Sequence, residues 1–237
     1  MYYWLIPLII GALLLVVFLY FRVKEKRVIA VIIKGLVSLT FIITALVAWK
    51  TSKNPNSTFG IFVLIGLVFG LLGDVFLDLK YIVLKRELLF TILGFFAFLL
   101  GHVCYSTGLF IHFYNWNVNI LYLIIPIIVT LLLVVITLLM EKFTPIRYKK
   151  MKPYVVIYGV ALFFTTSIYL STNIQSGWNI IPLIIMSVGF ILFMISDLIL
   201  NNTYFQEGCS TPLFIISNHA IYYIAQFSIA VALFFLI

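Results

Sequence analysis

Eight stretches of about 20 mostly apolar residues, each long enough to cross the hydrocarbon core of a bilayer as a helix, constrain this chain more than any other feature. They cover about 3–21, 28–48, 59–79, 88–110, 119–140, 154–171, 179–200 and 212–236. The residues are 65% hydrophobic and 9% charged, with a mean hydropathy of +1.24. Soluble domains run at roughly 45–50% and about 25%. That balance excludes soluble and disordered chains, and 2 cysteines are too few for a secreted disulfide framework. The predicted fold is an all-α integral membrane protein with eight transmembrane helices, forming a single membrane-embedded domain over 1–237.

The breaks between spans carry turn and cap chemistry. Asn54-Pro55-Asn56-Ser57 reads as a turn followed by a helix start. Thr144-Pro145 and Lys152-Pro153 bracket the fifth connection, and Ser210-Thr211-Pro212 places cap residues before a proline in the first turn. Pro7, Pro126 and Pro182 fall within spans, where membrane helices tolerate them. The first span has no basic residue ahead of it and four directly after it, which reads as a reversed anchor kept in the mature chain.

The formal charge of +8 is a topology signal rather than a binding patch. Arg22, Lys24, Lys26 and Arg27 lie between spans one and two, and Lys80, Lys85 and Arg86 between three and four. Lys142, Arg147, Lys149, Lys150 and Lys152 lie between five and six. The alternate connections hold only Lys50 and Lys53, and Lys34 is inside span two. Positive residues near span ends stay in the cytoplasm, so both termini are expected outside it. No nucleic-acid partner is expected.

Glu25, Glu87, Glu141 and Glu207 lie in connections or at span edges. Asp74, Asp78 and Asp197 do not, and ionisable groups inside spans are functional candidates because a central charge costs about 2.5–3.5 kcal/mol. By helical rise, Asp74 lies roughly 9 Å in from Lys80, and Lys34 roughly 10 Å past Arg27. His219 lies roughly 10 Å past Pro212, and Asp197 roughly 6–8 Å above a break expected at Asn201-Asn202. Helices two, three, seven and eight thus bring four ionisable groups to one layer near the basic end, and Tyr222 shares the His219 face. A polar pocket open to that end accounts for all of them. Simpler readings exist: Asp78 as an interfacial charge, Lys34 as a snorkelling ammonium, His219 as a packing residue. His102, roughly 24 Å from Arg86, is assigned to packing or a pocket end. Ser38, Ser106 and Ser196 read as ordinary span hydroxyls.

Two segments echo each other. Gly66 precedes Asp74 by eight residues and Gly189 precedes Asp197 by eight, with Leu77 and Leu200 three residues after the aspartates. A His-x-x-Tyr follows one helix later in each case, at His102–Tyr105 and His219–Tyr222. A 4+4 parallel repeat is one reading. Gly66 and Gly70 read as a close-packing face, and Gly73 as thinning the wall of a pocket.

Four pieces together resemble the YhhN family of multi-span membrane proteins: Gly73-Asp74, Gly101-His102-Val103-Cys104-Tyr105, Ser196-Asp197 and Tyr222-Tyr223-Ile224-Ala225-Gln226. Asp78 departs from the family pattern, which is more often apolar there. Characterised members are lysoplasmalogenases, so the resemblance implies cleavage of a lysoplasmalogen vinyl ether to a fatty aldehyde and a glycerophospho-alcohol. It also implies two essential aspartates, mapping onto Asp74 and Asp197. Vinyl ether hydrolysis proceeds by protonation at carbon and capture of the oxocarbenium ion by water. Two carboxyl groups in unlike environments suit it, one protonated and one ionised, as in glycosidases.

Lys34, Asp78, His102, His219, Tyr222 and Gln226 are the supporting candidates, and Lys80, Lys85 or Arg86 would attract the phosphate. The expected partners are a lysophospholipid and the bilayer, with no cofactor and no metal, in the plasma (inner) membrane of a bacterium. A metal hydrolase lacks a converging ligand set, a serine hydrolase lacks a Gly-x-Ser-x-Gly elbow, and a proton-coupled carrier is the alternative from another class.

Overall fold

A computed structural model describes residues 2–237. Eight helices follow one another: α1 (Leu5–Val23), α2 (Arg27–Lys50), α3 (Thr58–Leu79), α4 (Glu87–His112), α5 (Leu121–Phe143), α6 (Lys152–Gln175), α7 (Ile181–Phe205) and α8 (Pro212–Ala232). All eight are long and apolar enough to cross a membrane, and no strand occurs among the described residues.

The eight expected spans agree with these helices to within a few residues, with one instructive exception. No break occurs at Asn201-Asn202, and α7 runs on to Phe205. The polar side chains there find partners that leave the helix intact. Asn201 Nδ2 donates to the Tyr148 hydroxyl at 3.0 Å, Asn202 Nδ2 to the Leu198 carbonyl at 2.8 Å, and Thr203 Oγ1 to the Leu200 carbonyl at 2.8 Å. Asp197 therefore lies about 12 Å from the end of its helix, deeper than expected.

The prolines fit for separate reasons. Pro153 and Pro182 stand in the first turns of α6 and α7, where their missing N–H has no partner to lose. Pro126 lies inside α5 and frees the Tyr122 carbonyl, which the Ser171 hydroxyl of α6 satisfies at 2.6 Å. Thr211 caps α8, its hydroxyl accepting from the Phe214 amide at 3.5 Å. Ser57 occupies the cap position of α3, but its hydroxyl makes no capping bond.

The connections segregate to two ends. Arg27 reaches the Tyr81 carbonyl at 3.4 Å, and the Arg147 amide donates to the Phe205 carbonyl at 2.7 Å, so the basic loops share one end. At the other, the Lys53 amide donates to the Leu236 carbonyl at 3.2 Å and the Tyr2 and Phe234 rings lie 5.4 Å apart. Both termini thus lie opposite the basic loops.

Helices α3 and α4 pack closely because glycines leave room for rings. A Cβ on Gly66 would overlap the Tyr105 ring, and one on Gly73 would come within 2.6 Å of Phe98. Helices α1 and α5 are peripheral and turn apolar side chains outward, Val16 66% and Leu131 57% exposed, as lipid-facing surfaces do. The neighbour relations have a regularity: α1–α2, α2–α3, α3–α4 and α2–α8 correspond to α5–α6, α6–α7, α7–α8 and α6–α4.

Candidate active site

Asp74, on the second-last turn of α3, is buried and partnered from two other helices. The Ser38 hydroxyl of α2 donates to its Oδ2 at 2.6 Å, and the Tyr222 hydroxyl of α8 to the same oxygen at 2.8 Å. Lys34 Nζ lies 3.2 Å from Oδ1 and 3.1 Å from Asp78 Oδ1. Arg22, at the end of α1, pairs with the other Asp78 oxygen. Two cations and two carboxylates thus form a charge-balanced cluster, the arrangement a buried charge requires. Gln226 Nε2 donates to the Tyr222 hydroxyl at 2.8 Å, and Tyr223 meets Ser38 at 3.0 Å.

The surroundings of Asp197 are different. Its hydrogen-bond partner is the Tyr158 hydroxyl of α6, and no Lys or Arg pairs with it. Tyr158 stacks on Phe95 with centroids 5.5 Å apart, and its ring lies 5.9 Å from His102.

Both aspartates line one cavity of about 30 Å³, with Lys34, Tyr158, His219 and Tyr222 among its other walls. That is room for a water molecule or two among polar partners. Two further cavities adjoin it. A polar chamber of about 200 Å³ at the basic end is lined by Arg22, Glu25, Arg27, Asp78, Asn218 and His219, among others. A narrow apolar slot of about 60 Å³ runs between α4, α5, α6 and α7, with Phe95, Tyr158, Gly159, Leu162 and Asp197 in its walls.

The single layer of ionisable groups expected near the basic end exists as one cavity. Several individual readings change. Lys34 does not snorkel: it is 4% exposed, because two carboxylates hold its ammonium inside. Asp78 is no interfacial charge but is 2% exposed between Lys34 and Arg22. Ser38 is no ordinary span hydroxyl, since Asp74 takes its hydrogen bond. Gly70, read as packing alone, makes the space for Gln226, whose Nε2 a Cβ there would meet at 2.9 Å. At Gly73 the space is filled by the Phe98 ring, so no wall is thinned.

His219 lines both the inner cavity and the chamber. Its Nδ1 lies 2.8 Å from the Ile215 carbonyl, which makes that nitrogen the donor. His102 lies outside the cavity lining, but its ring sits beside Tyr158 with both nitrogens unpartnered. The chamber's cations are Arg22 and Arg27 rather than Lys80, Lys85 or Arg86. Lys80 lies over the Tyr204 ring, Nζ 3.2 Å from its centroid. Burial pushes its ammonium down to about 7, against the pull of Glu87 and Asp78.

Tyr158, Arg22, Ser38 and Asn218 escaped the sequence reading. Arg22 counted as a loop charge although it occupies the last turn of α1. Asn218 had one available signal, its adjacency to His219; its Nδ2 donates to the Ser196 carbonyl at 2.6 Å.

Fold and site together define a multi-span helical membrane protein in which two carboxyl groups, Asp74 buried and Asp197 half-buried, line a small internal cavity. The YhhN family model matches residues 29–233, most of the chain. The chain belongs to the YhhN family. No curated protein and no solved structure matches it.

Proposed function

We propose that this chain is a membrane-embedded hydrolase that cleaves the vinyl ether bond of lysoplasmalogens, releasing a fatty aldehyde and a glycerophospho-alcohol. The observation that carries this reading is that Asp74 and Asp197 line one cavity in unlike surroundings, one beside an ammonium and one against a phenol. Membership of a lysoplasmalogenase family supports it.

The two environments divide the labour. Asp74, compensated by Lys34, is the carboxylate, and Asp197, with no cation beside it, carries the proton. Asp197 delivers that proton to the vinyl carbon distal to the ether oxygen, leaving an oxocarbenium ion at the carbon that bears the oxygen. Asp74 takes a proton from a cavity water as that water adds to the cation. The resulting hemiacetal collapses to aldehyde and free glycerol hydroxyl, its own hydroxyl proton passing to the leaving oxygen, and the proton on Asp74 returns to Asp197 through cavity water, which restores both carboxyl groups. Ser38 and Tyr222 fix the Asp74 carboxylate, and Gln226 holds Tyr222. The basic end faces the cytoplasm and both termini face out, by the placement of Lys and Arg, in the inner membrane of a bacterium. The corresponding neighbour relations of α1–α4 and α5–α8 support a 4+4 repeat.

Purified protein in detergent, incubated with vinyl ether and ester lysophospholipids in separate tubes, is to be followed by mass spectrometry. Aldehyde release from the vinyl ether is expected in wild type, with Asp74→Asn and Asp197→Asn each slower by at least about a thousandfold. Full activity in either variant sinks the mechanism. Unchanged lipid in every tube, with folded protein, replaces the hydrolase by a carrier.

A further inference from the structure

The slot, the inner cavity and the chamber meet at Leu200 and Tyr204, which line all three. Asp197 stands in the wall shared by slot and inner cavity, while His219 and Asn218 stand in the wall shared by inner cavity and chamber. The carboxyl pair thus sits at the junction of an apolar arm and a polar arm.

The chamber sets two guanidiniums, Arg22 and Arg27, against two carboxylates, Asp78 and Glu25, and keeps one guanidinium N–H free for an incoming anion. Arg22 and Arg27 enter it, and Arg22 Nε is buried without a hydrogen-bond partner. The Arg22 guanidinium is stacked 4.5 Å from the Tyr81 ring centroid, which holds its plane in place. A guanidinium so fixed suits a phosphate oxygen better than a carboxamide or a sugar hydroxyl. Glu25, in the same wall, stands in the left-handed region at φ 55 and offers a carboxylate to an ammonium.

The slot is built for one alkyl chain. Its walls are apolar apart from a few groups such as Thr137, Asp197 and Asn201, and it is the smaller of the two arms, about 60 Å³ against about 200 Å³. Gly159 leaves a bare backbone in its wall, and a Cβ there would meet only Phe163, at 3.5 Å.

We infer that the protein binds a single-chain glycerophospholipid bent across the junction, its chain in the α4–α5–α6–α7 slot and its phosphate against Arg22 and Arg27 in the chamber. This inference rests on the proposed reaction for the choice of ligand, and it deepens that reading by assigning both ends of the substrate. The bond that breaks lies where the two arms meet, so the aldehyde is left in the apolar arm and the glycerophosphodiester in the polar one.

The test uses saturated ether probes, whose carbon cannot be protonated and which stay intact: dodecyl- and hexadecyl-lysophosphatidylethanolamine, and hexadecylglycerol without phosphate. Binding to the full-length protein in detergent is measured by native mass spectrometry. Each methylene carried from water into the slot contributes at most about fourfold in affinity, and less when it comes from a detergent micelle; hexadecyl is still expected to bind wild type tighter than dodecyl. Gly159→Leu, whose Cβ the fold accommodates, narrows the slot and is expected to weaken hexadecyl binding by about tenfold or more, erasing the preference for the longer chain; a thermal-unfolding check confirms that the variant is folded.

Arg27→Gln, at an exposed position, is expected to weaken both phospholipid probes by about tenfold regardless of chain length, and to leave hexadecylglycerol unchanged. Equal hexadecyl binding by wild type and Gly159→Leu overturns the slot assignment. Equal loss of hexadecylglycerol and phospholipid binding in Arg27→Gln overturns the chamber assignment. No binding of any probe to wild type overturns both. Intact binding with no aldehyde release from vinyl ether substrates refutes the hydrolase and leaves the site standing. Aldehyde release with unchanged chain selectivity in Gly159→Leu does the reverse.

Discussion

Asp74 is held by an ammonium and two hydroxyls from α2 and α8, whereas Asp197, lining the same cavity, has a phenol and aromatic rings around it. On the first side every charged group has an oppositely charged partner, and Arg22, Lys34, Asp74 and Asp78 sum to zero charge. On the second, His102 is buried with no partner and the adjoining slot is apolar. Yet each aspartate is held by the helix that precedes its own, Ser38 and Lys34 of α2 for Asp74 and Tyr158 of α6 for Asp197. A similar scaffold therefore supports two carboxyl groups in opposite electrostatic settings, which is what acid and base roles require.

The strongest way to break this contrast is to remove the cation. Lys34→Met leaves Asp74 uncompensated and Asp78 with Arg22 alone, and is expected to cost about 3–5 kcal/mol of stability. Thermal unfolding in detergent reads it, and adding Asn at Asp74 to the same variant recovers much of the loss. Near wild-type stability in the single variant contradicts a charge-balanced cluster.

Lys80 is buried in no ion pair, against the Tyr81 and Tyr204 rings, so Lys80→Met is expected to gain about 1–3 kcal/mol. Its ammonium is held down to about 7 from 10.5, so the unfolded chain binds the extra proton between those values. Stability of the wild type therefore rises with pH across that window. The gain from Lys80→Met is full below about 7 and fades toward 10.5; a pH-independent gain contradicts this account.

The two tyrosines sharpen the contrast further. Tyr158→Phe removes the phenol of Asp197 and is expected to lower kcat by about tenfold. Tyr222→Phe leaves Asp74 with Ser38 and Lys34, and is expected to cost less than about threefold. The reverse order of effects, measured by aldehyde release, interchanges the roles assigned to the two sides. The smallest effect belongs to His102. His102→Phe removes a buried group without partners and is expected to change stability by about 1 kcal/mol or less, in the stabilising direction, with activity kept. Loss of turnover places the imidazole in the reacting group.

The eight helices were legible because span length and hydropathy are set locally by the bilayer. The shared layer of Lys34, Asp74 and His219 was legible too, since depth follows from counting residues along a helix, whereas Asp197 was counted from a break that α7 does not have. What counting does not supply is which helix faces which. Ser38 and Tyr158 look like any other span hydroxyl and phenol until α2 lies against α3, and α6 against α7. Gly70 misled for the same reason, because its purpose is a side chain from α8. Asn201 and Asn202 misled in the opposite direction: their polarity resembled a chain break, but one is tied to Tyr148 and the other to its own helix.

The hydrogen bond from Tyr222 to Asp74 joins residues 148 positions apart. Helix α3 is synthesised early with two carboxylates, and α2 brings the lysine that makes its entry into lipid tolerable, so the two helices gain by inserting as a hairpin. Tyr222 and Gln226 arrive only with α8. A chain halted before Pro212 is therefore expected to insert and to turn over no lipid, which an arrested-translation assay can check. On the proposed reaction, the site is therefore assembled only when α8 joins α2 and α3, and a copy still lacking α8 is expected to leave the receiving membrane's lipids intact.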